Sequence, residues 1–273
     1  MTLILKLKKK LSAPVSAECI SPDTFAGKQE SEIAGLTLWE GNRKRQLSEI
    51  FEVEGISGSS PSETTIHIKG DLSKTRRIGA GMTEGRIVIQ GNGGMHIGEE
   101  MKGGTILVEG NAGSWLGSAM KGGVIEVKRN AGDYIGGAHR GSTKGMRGGV
   151  IIVHGNAGSE AGSHMRKGLI KIFGDADQFA GIYMKDGTIV VHGNSRGRLG
   201  AFMTSGKIVV CGKAESVLPT FSIDKINRKT KIHGDEIAGP FYVFVGDLAE
   251  HGNGKLYLSQ TENEHLKSVE LFL

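Results

Sequence analysis

A 19-residue unit repeats seven times through the middle of the chain, and that period limits the fold more than any other feature. Across residues 70–212 the unit reads Gly-Asx-x-x-x-x-(apolar)-Gly-x-x-Met-x-x-Gly-x-Ile-x-(Val/Ile)-x. The Met column is Met82, Met101, Met120, Met146, Met165, Met184 and Met203. The Ile column is Ile87, Ile106, Ile125, Ile151, Ile170, Ile189 and Ile208, followed two residues later by Ile89, Val108, Val127, Val153, Ile172, Val191 and Val210. A fixed period near 20 residues marks a solenoid, in which each unit buries its apolar face by stacking on its neighbours.

With the first residue of a unit as position 0, Gly recurs in all seven units at positions 7 and 13. Gly reaches positive φ without steric cost, so these positions predict corners. Position 1 is always Asp or Asn, read as turn residues that bond their own backbone. The Gly-x-Ile-x-Val stretch alternates with period 2, as a strand with one buried face does. No part of the unit has a helical period, which disfavours leucine-rich repeats. The expected fold is all-β: a right-handed parallel β-helix (β-solenoid) of seven ~19-residue rungs, stacked at about 4.8 Å into a rod about 34 Å long. The Met column is expected to fill the wider part of the core, because an unbranched thioether adapts to irregular gaps.

Residues 1–69 are expected to form an N-terminal flanking region and cap, and 213–273 a C-terminal cap or docking segment around the 70–212 solenoid. Strand-like sequence at 3–8, a short helix near 30–34, a hairpin around Gly41-Asn42 and the segment 47–51 are expected in the first flank. Strands near 241–245 and 255–258 are expected in the second. Two departures from the period stand out. The first unit has two extra residues before Gly79, and a later one has seven between Gly136 and Met146, read as a loop on one face.

Forty-four glycines at fixed positions argue for ordered turns rather than disorder. The formal charge of +5 permits an acidic partner, while the sparse aromatics give no base-stacking surface, so no nucleic acid is expected. Cys19 and Cys211 form no CxxC pattern, which argues against a disulfide framework or an all-protein iron–sulfur or zinc site. The opening residues carry too short an apolar run for a signal peptide or a membrane span, so a cytoplasmic location and no membrane are expected.

No catalytic, cofactor-binding or metal residue is singled out. His154 and His192 share position 18 but lie two rungs apart, about 10 Å, too far to ligate one metal together. No nucleophile signature is present. The glycine-rich corners recur in every rung with no helix following, so they read as turns rather than phosphate cradles. The period also fits neither hexapeptide acyltransferases nor calcium-binding nonapeptide repeats, and the strands lack the acidic clusters of polysaccharide-cleaving β-helices.

Two surface columns remain. Position 16 points outward yet reads Val88, Leu107, Glu126, Ile152, Lys171, Val190 and Val209. A partner subunit, or one of the chain's own flanks, is expected to cover it. Val88, Leu107, Ile152, Val190 and Val209, with Arg140 and Lys144 of the insertion and Arg147 beside it, are the candidate subunit-interface residues. Aspartate at 190 and 209 is expected to release partners. Position 11 (Thr83, Lys102, Lys121, Arg147, Arg166, Lys185, Thr204) forms a basic ridge that suits an acidic partner.

The units Gly110-Asn-Ala-Gly-Ser-Trp-Leu-Gly117 and Met-Lys-Gly-Gly-x-Ile resemble the C-type subunit of formylmethanofuran dehydrogenase from methanogenic archaea. The flanking Pro22-Asp-Thr-Phe-Ala-Gly-Lys28, Phe51-Glu-Val-Glu-Gly55 and Gly239-Pro-Phe-Tyr-Val-Phe-Val-Gly-Asp247 match it too. The repeat is also similar to the Gly-rich domain of glutamate synthase and to the matching subunit of bacterial formyltransferase/hydrolase complexes. The resemblance implies a non-catalytic scaffold in a complex that reduces CO2 and condenses the formate onto methanofuran, the reversible first step of methanogenesis. It implies a molybdenum or tungsten pterin, iron–sulfur clusters and a dinuclear metal site, all on other subunits. The implied partners are formate-dehydrogenase-like, amidohydrolase-like and ferredoxin-like subunits and a larger electron-transfer supercomplex. The alternatives are a scaffold of a formyltransferase/hydrolase complex and, more distantly, a free-standing carbohydrate-active β-helix enzyme.

Overall fold

In a computed structural model, which describes residues 1–232 and 234–273, the chain is mostly β with a β-helix-like body. Among the described residues the largest sheet has 13 strands. Its centre is a run of parallel strands, one from each repeat unit: Arg86–Gln90, Thr105–Val108, Val124–Val127, Arg147–Val153, Lys167–Ile172, Thr188–Val191 and Lys207–Val210. The register is set by the Ile column, since Ile87, Ile106, Ile125, Ile151, Ile170, Ile189 and Ile208 are successive partners.

The flanks continue these columns. Thr2–Leu7 and Thr65–Lys69 add parallel strands before the repeats, and Gly254–Ser259 adds one after them. Leu3 and Ile66 extend the Ile column at one end and Leu256 at the other. Leu5, Ile68 and Leu258 likewise extend the Val column, and all six side chains are fully buried. Each buried aliphatic side chain contributes about 1.5–3 kcal/mol, so the extended columns hold the flanks on the body. Antiparallel strands then close the sheet: Phe51–Gly55 on Thr2–Leu7, and the hairpin Ser222–Ile232/Asp235–Gly246 on Gly254–Ser259. The short helix Glu30–Ala34 and the hairpin Thr37–Glu40/Arg43–Gln46 lie where the sequence predicts them, and the segment 47–51 holds the short helix Leu47–Ile50. The strands at 65–69 and 222–232 are additions to the sequence reading.

Every position-7 and position-13 Gly has positive φ, as the corner reading requires. Space matters as much as conformation. A Cβ on Gly117 would lie 2.5 Å from Cδ1 of Ile151, and one on Gly123 would lie 2.7 Å from Cε of Met101. The second contact recurs up the body, so each Met fills the gap left by the position-13 Gly of the following coil. All seven methionines of the column are fully buried, which is the packing role predicted for them.

The Asx column works differently from the turn reading. Oδ1 of Asn92 accepts from the backbone N–H of Asn111, Asn111 from Asn130, and Asn130 from Asn156, at 2.8–3.1 Å. Asn156, Asp175 and Asn194 continue the ladder to the N–H of Lys213. Asp71, at the start of the column, keeps the predicted turn bond, accepting from the Ser73 N–H, whereas from Asn92 onward the stacked corners offer the next coil's N–H instead. Beyond the last unit, buried Asn263 accepts from the Ala214 N–H and donates to the carbonyls of Gly212 and Ser259.

The strand Thr75–Arg76 of the first unit pairs with Val15–Ser16 and joins a four-stranded sheet to the body. No helix among the described residues is long and apolar enough to cross a membrane.

Candidate functional site

The corner between positions 5 and 9 is where the repeat is least uniform. Position 5 holds non-Gly residues at positive φ, including Arg77, His96, Trp115 and Tyr134. Three of these stack: His96 on Trp115 at 5.3 Å between centroids, and Trp115 on Tyr134 at 4.6 Å. Position 8 reads Ala80, Glu99, Ser118, Gly137, Ser163, Ile182 and Ala201, a sheltered column with one charged member. Glu99 is only 5% exposed. A carboxylate withdrawn from water needs compensating partners, which marks Glu99 as a residue the repeat itself does not require.

Its partners come from three directions. Arg77, one coil earlier, donates from Nε to Oε2 at 2.7 Å and from Nη2 to Oε1 at 3.2 Å. The same guanidinium pairs with Glu18 of the N-terminal flank. His139, from the insertion, places Nδ1 3.1 Å from Glu99 Oε1 and Nε2 3.5 Å from Glu100 Oε1. His96 places Nδ1 3.5 Å from Glu99 Oε2, sheltered from solvent and without a hydrogen-bond partner. Burial depresses the His96 pKa below the ordinary histidine value, with Arg77, His139 and Arg76 acting the same way against the opposing pull of Glu99. Glu100 is held below the usual carboxylate range by a 2.9 Å hydrogen bond from Lys121. Arg77, His96, Glu99, Glu100 and His139, with Arg140 lying over the Trp115 ring, line an open pocket of about 830 Å³.

Sequence spacing places His96 and His139 at unrelated positions; the insertion brings them to either side of one buried carboxylate. The available signals were an acidic residue in a column of small ones and a histidine inside the insertion. His154 and His192 stay apart, with Phe173 stacked between them at 5.3 and 4.7 Å.

No family model matches the sequence. The C-type subunit of the molybdenum-containing formylmethanofuran dehydrogenase 1 of Methanosarcina barkeri is 47% identical over 95 residues, 35% of this chain and 32% of that protein. Its counterpart in the tungsten-containing enzyme 2 of Methanothermobacter wolfeii is 42% identical over 95 residues, 35% of each protein. The matched segment thus spans about a third of these relatives. Among solved structures, a chain of the formyltransferase/hydrolase complex of Methylorubrum extorquens, crystallised with methylofuran, superposes with a TM-score of 0.82. It is 30% identical, and the match covers 94% of this chain and 99% of that one. The chain belongs to the same family as that chain of the formyltransferase/hydrolase complex.

In this family member, the outward apolar stripe proves to be two different surfaces. Val190 and Val209 are fully buried in a cluster with Leu169, Ile232, Phe241, Val243 and Tyr257. The chain's own C-terminal hairpin therefore covers them, and the reading of these two as partner contacts is corrected. The hairpin is fixed by Lys171, which pairs with Asp235 at 2.9 Å, and by Lys207, which donates to the Lys231 carbonyl at 3.0 Å. Val88 is buried as well, between His67 and Leu107 of the adjoining strands. Leu107 and Ile152 remain half-buried, separated by Glu126, which pairs with His154 at 2.7 Å. Arg140, Lys144 and Arg147 are exposed, and so is the position-11 ridge apart from half-buried Arg166.

The cysteines do not suit an iron–sulfur cluster. Cys19 packs against the main core, where burial pushes its thiol up to about 11, and Cys211 packs against the outer cluster. Clusters need four convergent thiolates.

Proposed function

We propose that the chain is a non-catalytic scaffold subunit of a formylmethanofuran dehydrogenase complex. In that reading, other subunits reduce CO2 and transfer the formyl group to methanofuran, while this chain holds them in register. The observation that carries the proposal is the full-length likeness to a chain of a solved multi-subunit complex, joined to 42–47% identity with two dehydrogenase subunits of the same type. The fold supports it. Read as a right-handed parallel β-helix of seven rungs with capped ends, the β-helix-like body would offer long faces for docking, and its Ile, Val and Met columns are buried in its own core.

On this proposal the molybdenum or tungsten pterin, the iron–sulfur clusters and the dinuclear metal site reside on formate-dehydrogenase-like, ferredoxin-like and amidohydrolase-like partners in the cytoplasm. The half-buried Leu107 and Ile152, with exposed Arg140, Lys144 and Arg147, are the surfaces proposed to meet them. A second reading, the scaffold of a formyltransferase/hydrolase complex, is favoured by one observation: the relative matched end to end comes from such a complex.

The test is native purification of the chain from its own cells, with subunit identification and metal analysis. The expected result is co-purification with a pterin-metal subunit, an amidohydrolase-like subunit and abundant iron. Formyltransferase-type partners with little iron would establish the second reading, and a chain that purifies alone would overturn both.

A further inference from the structure

We propose that His96, Glu99 and His139 form a binding site for one divalent first-row transition-metal ion, of which zinc is the best fit. Two imidazoles and a carboxylate are a donor set that borderline cations of this class accept, leaving a fourth position open. One ligand atom from each of the three residues lies within 4.8 Å of the other two. Donors about 2.1 Å from a tetrahedral zinc stand about 3.4 Å from one another. Here the two histidine nitrogens stand 3.5 and 3.1 Å from the Glu99 oxygens.

Three independent features converge on this point. Glu99 is the charged member of a sheltered column whose other residues are small or apolar. His139 arrives on the seven-residue insertion that breaks the period. His96 holds a sheltered Nδ1 that finds no hydrogen-bond partner within the protein. A purely architectural role accounts for part of this, because the Glu99–Arg77–Glu18 chain ties the N-terminal flank to the body. That role explains neither the unpartnered imidazole nor the second histidine.

The surroundings are those of an oriented metal site. Arg77 grips both oxygens of Glu99 and fixes the plane of the carboxylate. Trp115 stacks on the His96 ring and limits its rotation. The Ser118 hydroxyl, 3.4 Å from His139 Nδ1, and Glu100, 3.5 Å from its Nε2, bracket the second imidazole. The open position faces the pocket lined by Arg76 and Arg140, where a water or a small anion completes the shell.

The experiment uses the tag-free full-length chain, stripped with a chelator and titrated with Zn²⁺ against a chromophoric competitor. A parallel Co²⁺ titration is read by its visible absorption. The expected result is one equivalent of tightly held Zn²⁺ and a visible Co²⁺ band. His139→Ala is expected to weaken Zn²⁺ binding by about tenfold or more and to abolish the band. The metal-free melting temperature of this variant is expected to match the parent, since His139 sits on a surface loop and the Arg77–Glu99 pair remains. His96→Ala provides a second, independent loss. Absence of stoichiometric Zn²⁺ uptake by the parent chain, or equal affinity in the parent and the His139 variant, would overturn the proposal.

Discussion

The inner and outer surfaces of the coil are built under different rules. Inside, the Ile, Val and Met columns meet their own copies one coil away, so every unit solves the same packing problem with the same residues. Outside, neighbouring coils share no fixed neighbour. One stretch lies under the C-terminal hairpin, one is half open, and one corner carries a buried glutamate between two histidines. Identity along a column therefore reports self-stacking. Variation along a column reports what else the chain, or another molecule, brings to that place.

Val209→Asp attacks this contrast most directly, because it places a carboxylate in the cluster beneath the hairpin. A buried charge without a partner costs about 3–5 kcal/mol, so the variant is expected to melt far earlier as an isolated chain. If position 209 faced a partner instead, the isolated chain would keep its stability and lose only assembly. Met120→Ala probes the interior. Deleting a fully buried side chain that fills the hollow above Gly149 is expected to cost about 3 kcal/mol in chemical denaturation, whether or not partners are present. A loss below about 1 kcal/mol would mean that neighbouring coils collapse onto the gap.

The smallest expected effect is one of pH and reads the outer aromatic columns. His96, His164 and His192 each stack on an aromatic ring, and burial is the leading cause that lowers each pKa below 6.5. The unfolded chain therefore takes up protons at higher pH than the folded one, and stability falls as pH drops below about 6.5. The melting temperature is expected to be a few degrees lower at pH 5.5 than at pH 7.5, before carboxylates such as Glu100 and Glu126 begin to titrate. An unchanged melting temperature would show that these rings protonate freely in the folded state.

Much of the fold was legible because the period made it so. The strand register, the corner glycines and the buried methionines each follow from a column that can be read along the sequence. The added strand at 65–69 was missed because it precedes the first full unit, although Ile66-x-Ile68 carries the same alternation. The burial of Val190 and Val209 was half seen, as a stripe that something must cover. That the cover is the paired strands 222–232 and 235–246 depends on a chain reversal which no periodicity reports. The Glu99 cluster was hidden for a related reason. His96 and His139 are 43 residues apart, and only the coil pitch together with the path of the insertion places them side by side.

The asparagine ladder has a further consequence. From Asn92 onward each side-chain oxygen accepts from the backbone N–H of the next coil, so the body carries a chain of like couplings pointing one way. Splicing one whole unit in or out leaves every other coupling intact and shifts everything beyond it by a single strand spacing, about 4.8 Å. The molecule is in this sense a ruler graduated in coils, whose length can be reset in fixed steps without redesigning its interior.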